Sequence, residues 1–130
     1  MANDKPLQKI LYVDDEPDIS EIVKLSLERL GGFDVSVCYN GKEALTKIAE
    51  IMPDMLLMDV MMPEMDGPTA LREIRKDERY KHIPIVFVTA KVQPYEIEHF
   101  RQLGAVDVIA KPFDPMELSK QIEDIWQKSN

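Results

Sequence analysis

The chain has 130 residues, enough for one domain with a substantial core, and its 45% hydrophobic and 31% charged residues fit an ordinary globular fold. A formal net charge of −8 argues against bare nucleic acid or an anionic membrane as a partner. A single cysteine, Cys38, excludes an intrachain disulfide. At the edge of an apolar run it reads as a small packed residue rather than a nucleophile.

The N-terminal MANDKPLQKI has no apolar segment suited to a signal peptide, and no stretch approaches the ~18 apolar residues of a membrane span. A cytoplasmic location is therefore expected. The first strand is expected at ILYV (residues 10–13), which stops at Asp14 and Asp15. Ile19, Ile22, Val23, Leu27 and Leu30 then recur at helical spacing until Gly31 and Gly32. FDVSVC (33–38) alternates and reads as a more exposed second strand. Asn40–Gly41 marks a turn, and Ala44, Leu45, Ile48 and Ile51 carry a second helix as far as Pro53.

MLLM (55–58) is the third expected strand, running into Asp59, and a helix follows Gly67 with Ala70, Leu71 and Ile74 inward. Its basic end, with Arg72, Arg75, Lys76, Arg79 and Lys81, reads as a solvated face whose cations suit the helix dipole. IPIVFV (83–88) is the fourth strand, ending at Thr89, and a weaker helix over 94–103 is anchored by Ile97 and Phe100 and ended by Gly104. AVDVIA (105–110) is the fifth strand, ending at Lys111–Pro112, and the last helix carries Leu118, Ile122, Ile125 and Trp126. Three of the strands are nearly continuous apolar runs, which implies burial on both faces. Parallel strands covered by helices satisfy that, giving one open, doubly wound α/β domain over residues 1–130.

In such sheets ligands bind beyond the carboxyl ends of the strands. Those ends present Asp14 and Asp15, then Asp59, Thr89 and Lys111. Taken singly, each has an ordinary explanation: a helix cap, a turn residue, a strand hydroxyl, a surface amine. Together they place three carboxylates at one edge, where each close pair costs up to ~4 kcal/mol at an effective dielectric near 20. A hard divalent ion relieves that conflict, and Mg²⁺ typically takes one or two carboxylates, several waters and a phosphate oxygen. An aspartate beside Mg²⁺, with an amine and a hydroxyl nearby, suits attack on a phosphoryl group to form an aspartyl-phosphate.

The motifs VDDE (13–16), MDVMMPEMDG (58–67), VTA (88–90) and GAVDVIAKPF (104–113), in this order and at these spacings, resemble the receiver domain of two-component response regulators, the CheY-like fold. The resemblance covers essentially the whole chain. It implies a five-stranded (βα)5 sheet of order 2-1-3-4-5, flavodoxin-like in type. It implies that Asp59 is the phosphoacceptor, served by the phosphohistidine of a sensor histidine kinase or a histidine phosphotransfer protein. By the same matching Asp15 binds Mg²⁺ directly, Asp14 mostly through water, and the backbone carbonyl of Met61 is a further ligand. Thr89 is then the switch hydroxyl, Lys111 the phosphate-pairing amine, and the bond to Pro112 is cis. Output is expected by protein contact through the fourth helix, fifth strand and fifth helix, as a monomer or a phosphorylation-dependent dimer. No DNA-binding or catalytic output segment is expected after Trp126.

One position departs from the pattern. Where such receivers carry Tyr or Phe three residues before the lysine, this chain has Val108, whose stiff, ringless side chain cannot swing inward. Met61 and Lys91 flank the site at the positions that tune the lifetime of the phosphorylated state, and a lifetime longer than that of the fastest members is expected. Two other readings remain. A Mg²⁺-dependent phosphatase of the haloacid dehalogenase type would want a second Asp where Met61 stands. A nucleotide or flavin binder would want a Gly- or Ser/Thr-rich loop where DDEPDIS stands. The chain is equally compatible with a receiver excised from a larger regulator or hybrid kinase.

Overall fold

In the computed structural model, which describes residues 5–129, five strands alternate with five helices. Residues 1–4 and 130 of the expected 1–130 domain lie outside the described residues. The strands are β1 (Lys9–Val13), β2 (Asp34–Cys38), β3 (Met55–Asp59), β4 (Ile85–Thr89) and β5 (Asp107–Ala110). The helices are α1 (Pro17–Gly31), α2 (Gly41–Ile51), α3 (Gly67–Arg75), α4 (Pro94–Leu103) and α5 (Pro115–Lys128). All strand pairs are parallel and the order is β2-β1-β3-β4-β5, the CheY-like arrangement expected.

The three apolar runs occupy the sheet centre. β3 and β4 are buried at every position and β1 at all but its first. Alternation splits their side chains into two layers. Leu11, Val13, Leu56, Met58 and Phe87 face α2, α3 and α4. Ile10, Tyr12, Leu57, Val88 and Ile109 face α1 and α5. Cys38 is fully buried, and burial pushes its thiol up to about 12, so it packs and does not react.

Several sequence expectations shift. β5 starts at Asp107 rather than residue 105. β4 starts at Ile85 rather than residue 83, because Pro84 has no N–H to give the ladder; Ile83 is nonetheless buried. Along α1, Val23 and Leu27 are buried but Ile22 is 52% exposed, since it lies about 100° round the helix from Val23. Leu30, in the last turn, is also exposed. The basic end of α3 is not one solvated face: the Arg75 guanidinium is half-buried and donates to the carbonyls of Tyr80, Lys81 and Gly104, tying α3 to the C-terminal end of α4. Its neighbours are paired, Lys76 with Glu73, Arg79 with Asp77 and Lys81 with Glu78.

Asp54 anchors the opposite end of the sheet. Its carboxylate accepts the N–H groups of Gln8 and Lys9 and the Lys5 ammonium. Burial opposes its charge, but these donors outweigh burial and hold its pKa below the usual value. The contribution is therefore present above the unfolded pKa and lost as pH falls through the folded one. Asp54→Ala strands two backbone donors and is expected to cost about 1–2 kcal/mol in urea unfolding at neutral pH. An unchanged midpoint would show that the anchor contributes nothing.

Candidate phosphoacceptor and metal site

The sheet's alternation decides which strand ends meet. Tyr12, Leu57 and Ile109 belong to the layer beneath α1 and α5. Two residues further along each chain stand Asp14, Asp59 and Lys111, so all three side chains emerge on the same side at the carboxyl edge. Thr89 follows the parity of Phe87 and belongs to the opposite layer, one step past the Asp59–Val88 register pair.

Lys111 Nζ donates to Asp59 Oδ2 at 3.0 Å and to Asp14 Oδ2 at 3.3 Å. Asp14 is fully buried and Asp59 is 7% exposed, whereas Asp15 is exposed. One carboxylate oxygen from each of Asp14, Asp15 and Asp59 can be chosen so that all lie within 4.8 Å of one another. The donor set is all oxygen, and one exposed carboxylate joins two buried ones. Such a cluster fits a small hard cation reached from solvent better than a thiophilic metal.

The electrostatics agree with an under-neutralised pocket. Burial raises the Asp59 pKa; the hydrogen bond and charge of Lys111 oppose this, and the nearby Asp14 charge adds to it. Burial works against the charge of Lys111, but its bond to Asp59 and the fields of Asp14 and Asp59 win, so its pKa is raised. A simple ion pair would lower the aspartate's value. Here the loss of water, with the second carboxylate adding to it, outweighs one ammonium.

The loop after Asp59 is held tightly. Met61 N–H donates to Asp59 Oδ1 at 3.3 Å while the Met61 side chain is 66% exposed. Gly67 N–H closes the loop onto the Val60 carbonyl, and a Cβ at Gly67 would sit 2.6 Å from the Asp59 carbonyl oxygen, so only glycine fits. Asp66 then caps α3, accepting from Thr69 N–H. On the far side the Lys111–Pro112 peptide is cis, and Lys111 N–H donates to the Thr89 carbonyl, joining the ends of β4 and β5.

Residues 10–123 match the family model described as the response regulator receiver domain. The chain belongs to this family. Among curated relatives it is 39% identical over 115 residues to the DNA-binding response regulator MtrA of Mycolicibacterium smegmatis, covering 88% of this chain and 49% of that one. It is 36% identical over 122 residues to the alkaline phosphatase synthesis transcriptional regulatory protein PhoP of Bacillus subtilis, covering 94% and 50%. The chain thus spans about half the length of the curated relatives it matches. Among solved structures, the chemotaxis response regulator CheY4 of Vibrio cholerae superposes with a TM-score of 0.85 at 31% identity, covering 92% of this chain and 99% of that one. The Francisella response regulator 1452 receiver domain gives 0.84 at 29%, covering 93% and 98%. These matches support the receiver reading and not the haloacid dehalogenase one.

The receiver's remaining residues fall as follows. Thr89 is buried, and its hydroxyl oxygen accepts the Lys91 N–H at 3.0 Å. Val108 is half-buried, in register with Phe87 and packed in the layer facing α3 and α4. In that layer Phe87 meets Phe100 of α4 edge-on, with ring centroids 5.1 Å apart. Sequence reasoning missed Tyr12, whose hydroxyl donates to Asp14 Oδ2 at 2.8 Å. Burial, with the Asp14 charge adding to it, raises the Tyr12 pKa far above its ordinary value, so the phenol acts as a donor only. The signal was present, since residues two apart on a strand share a face. Sequence reasoning also missed an apolar groove of about 320 Å³ beside the site, lined by residues including Ile19, Ile22, Val23, Lys111 and Phe113.

Proposed function

We propose that the chain is a single receiver domain over residues 1–130 that takes a phosphoryl group onto Asp59 from the phosphohistidine of a sensor histidine kinase or histidine phosphotransfer protein. The observation that carries this reading is the Lys111 ammonium shared between Asp59 and Asp14 at the mouth of a three-carboxylate cluster. Asp14, Asp15, Asp59 and the Met61 carbonyl are the groups that would hold Mg²⁺. When bound, the ion supplies charge neutralisation for the carboxylates and the phosphoryl oxygens.

An Asp59 carboxylate oxygen attacks phosphorus, forming the P–O bond as the P–N bond to histidine breaks and its electron pair returns to the imidazole nitrogen. An ionised carboxylate needs no general base. Lys111 neutralises charge on the transferring group. Thr89 serves as the switch hydroxyl, exchanging its bond with Lys91 N–H for one to the new phosphoryl oxygen. With Val108 in place of an aromatic ring, the change reaches the α4–β5–α5 face through backbone and loop shifts. That face meets a downstream protein, with no direct contact to nucleic acid. The domain is a signalling switch and catalyses only its own phosphorylation and dephosphorylation. A cytoplasmic location fits this role, and among the described residues no helix is long and apolar enough to cross a membrane.

The groove beside Lys111 gives the donor protein a seat. Its wall includes Ile22, an isoleucine that α1 exposes within reach of the phosphorylation site. Ile22→Glu is expected to slow transfer from a phosphorylated sensor kinase about tenfold or more, the effect of losing one apolar interface anchor. Labelling by acetyl phosphate, which needs no docking, should stay within about twofold. Absence of transfer from any phosphohistidine protein to the wild type would refute the proposed donor. Equal transfer to both proteins would remove the groove from the docking surface.

A further inference from the structure

We infer that Tyr12 is a positioning residue of the cation site, its phenol fixing the orientation of the Asp14 carboxylate. The inference rests on reading Asp14, Asp15 and Asp59 as the Mg²⁺ pocket. Tyr12 and Asp14 are both fully buried, so their 2.8 Å bond is made away from water, where an unpaired hydroxyl or carboxylate is costly. The other buried residues of β1 are aliphatic (Ile10, Leu11 and Val13), and a phenylalanine ring would fill the same space as Tyr12. The hydroxyl is therefore not explained by packing.

Among the described residues three groups donate to the Asp14 carboxylate: Tyr12 Oη and Lys111 Nζ to Oδ2, and Glu16 N–H to Oδ1 at 3.0 Å. They differ in how firmly they are placed. Lys111 is shared with Asp59, and an incoming phosphoryl oxygen competes for it. Glu16 N–H lies in the loop between β1 and α1. Tyr12 sits inside the sheet, in register with Val37 on one side and Leu57 on the other. It is the donor that stays in place while Lys111 turns toward a phosphoryl group.

Hydrogen bonds to the groups that serve a cation typically govern its affinity by 10–100-fold. Tyr12→Phe removes the hydroxyl and keeps the ring. In calorimetric titration of the full chain with MgCl₂, this variant is expected to bind about tenfold more weakly than wild type. In acetyl phosphate labelling, the Mg²⁺ concentration for half-maximal rate should rise by a similar factor, while the rate at saturating Mg²⁺ changes little. A hydroxyl that served only the fold would lower the urea midpoint in EDTA without moving the Mg²⁺ half-saturation point. Wild-type binding with an unchanged affinity in Tyr12→Phe overturns the role of Tyr12 alone. Absence of Mg²⁺ binding by wild type overturns the cation site, and the inference with it.

Discussion

Incubated with acetyl phosphate and Mg²⁺, the wild-type protein is expected to gain one phosphoryl group by intact mass, and Asp59→Asn none. Three carboxylates share the pocket, so the choice among them is a physical question. Asp14 is fully buried, and both its oxygens are occupied by donors. Asp15 is exposed. Asp59 ends the central strand, is 7% exposed, and has Lys111 3.0 Å from Oδ2, where it can meet charge building on a transferring group. Asparagine keeps the shape and removes the nucleophile, so the rate should fall by about a thousandfold or more. Equal labelling of the two proteins would refute the assignment. The pH dependence has a definite direction: the Asp59 pKa in the metal-free pocket is raised, chiefly by burial, so protons compete with Mg²⁺, and the Mg²⁺ concentration for half-maximal labelling should begin to rise on acidification at a higher pH than an ordinary carboxylate would give.

The fold was legible because its strongest signals are local. The apolar runs at β1, β3 and β4 admit burial on two faces only, and helical spacings between them force crossovers. What sequence missed depends on three-dimensional neighbours. Pro84 looks apolar in a run, and only the missing N–H displaces the start of β4. Arg75 resembles its basic neighbours until the Gly104 carbonyl arrives from 29 residues away. Ile22 fits the apolar spacing of α1 yet lines a groove.

The site divides in the same way. That Asp14, Asp15, Asp59, Thr89 and Lys111 end strands could be read from the sequence, because strand ends are marked where apolar runs stop. That adjacent Asp14 and Asp15 differ completely in burial could not, since it follows from which face each takes as the strand gives way to a loop. Tyr12 was readable as a partner of Asp14 by strand parity, but a tyrosine in an apolar run is more readily taken for core.

Mg²⁺ is expected to stabilise the protein, and to do so through Asp15. Without a cation, the raised Asp59 pKa means that the folded state holds its proton more tightly than the unfolded chain does. That contribution favours folding below the unfolded pKa and is lost as pH rises through the folded one, so at neutral pH the metal-free pocket carries the cost of an ionised carboxylate held away from water, with the Asp14 charge adding to it. Lys111 has the same sign at the alkaline end: its raised value supports folding until pH passes the folded pKa. Asp59→Asn removes the charge whose burial carries this cost and should raise the melting temperature in EDTA by about 3–5 °C, for roughly 1 kcal/mol. A ligand bound only by the folded state at a hundred times its Kd adds about 2.7 kcal/mol, so the wild type should gain roughly 8–13 °C on going from EDTA to saturating MgCl₂. Asp15→Asn leaves the buried Asp14–Lys111–Asp59 bonds intact and removes the exposed carboxylate, so its melting temperature in EDTA should stay near that of wild type while most of the Mg²⁺ increment is lost. An equal increment in both proteins would place the cation elsewhere, and no increment in either would remove it from the acidic edge.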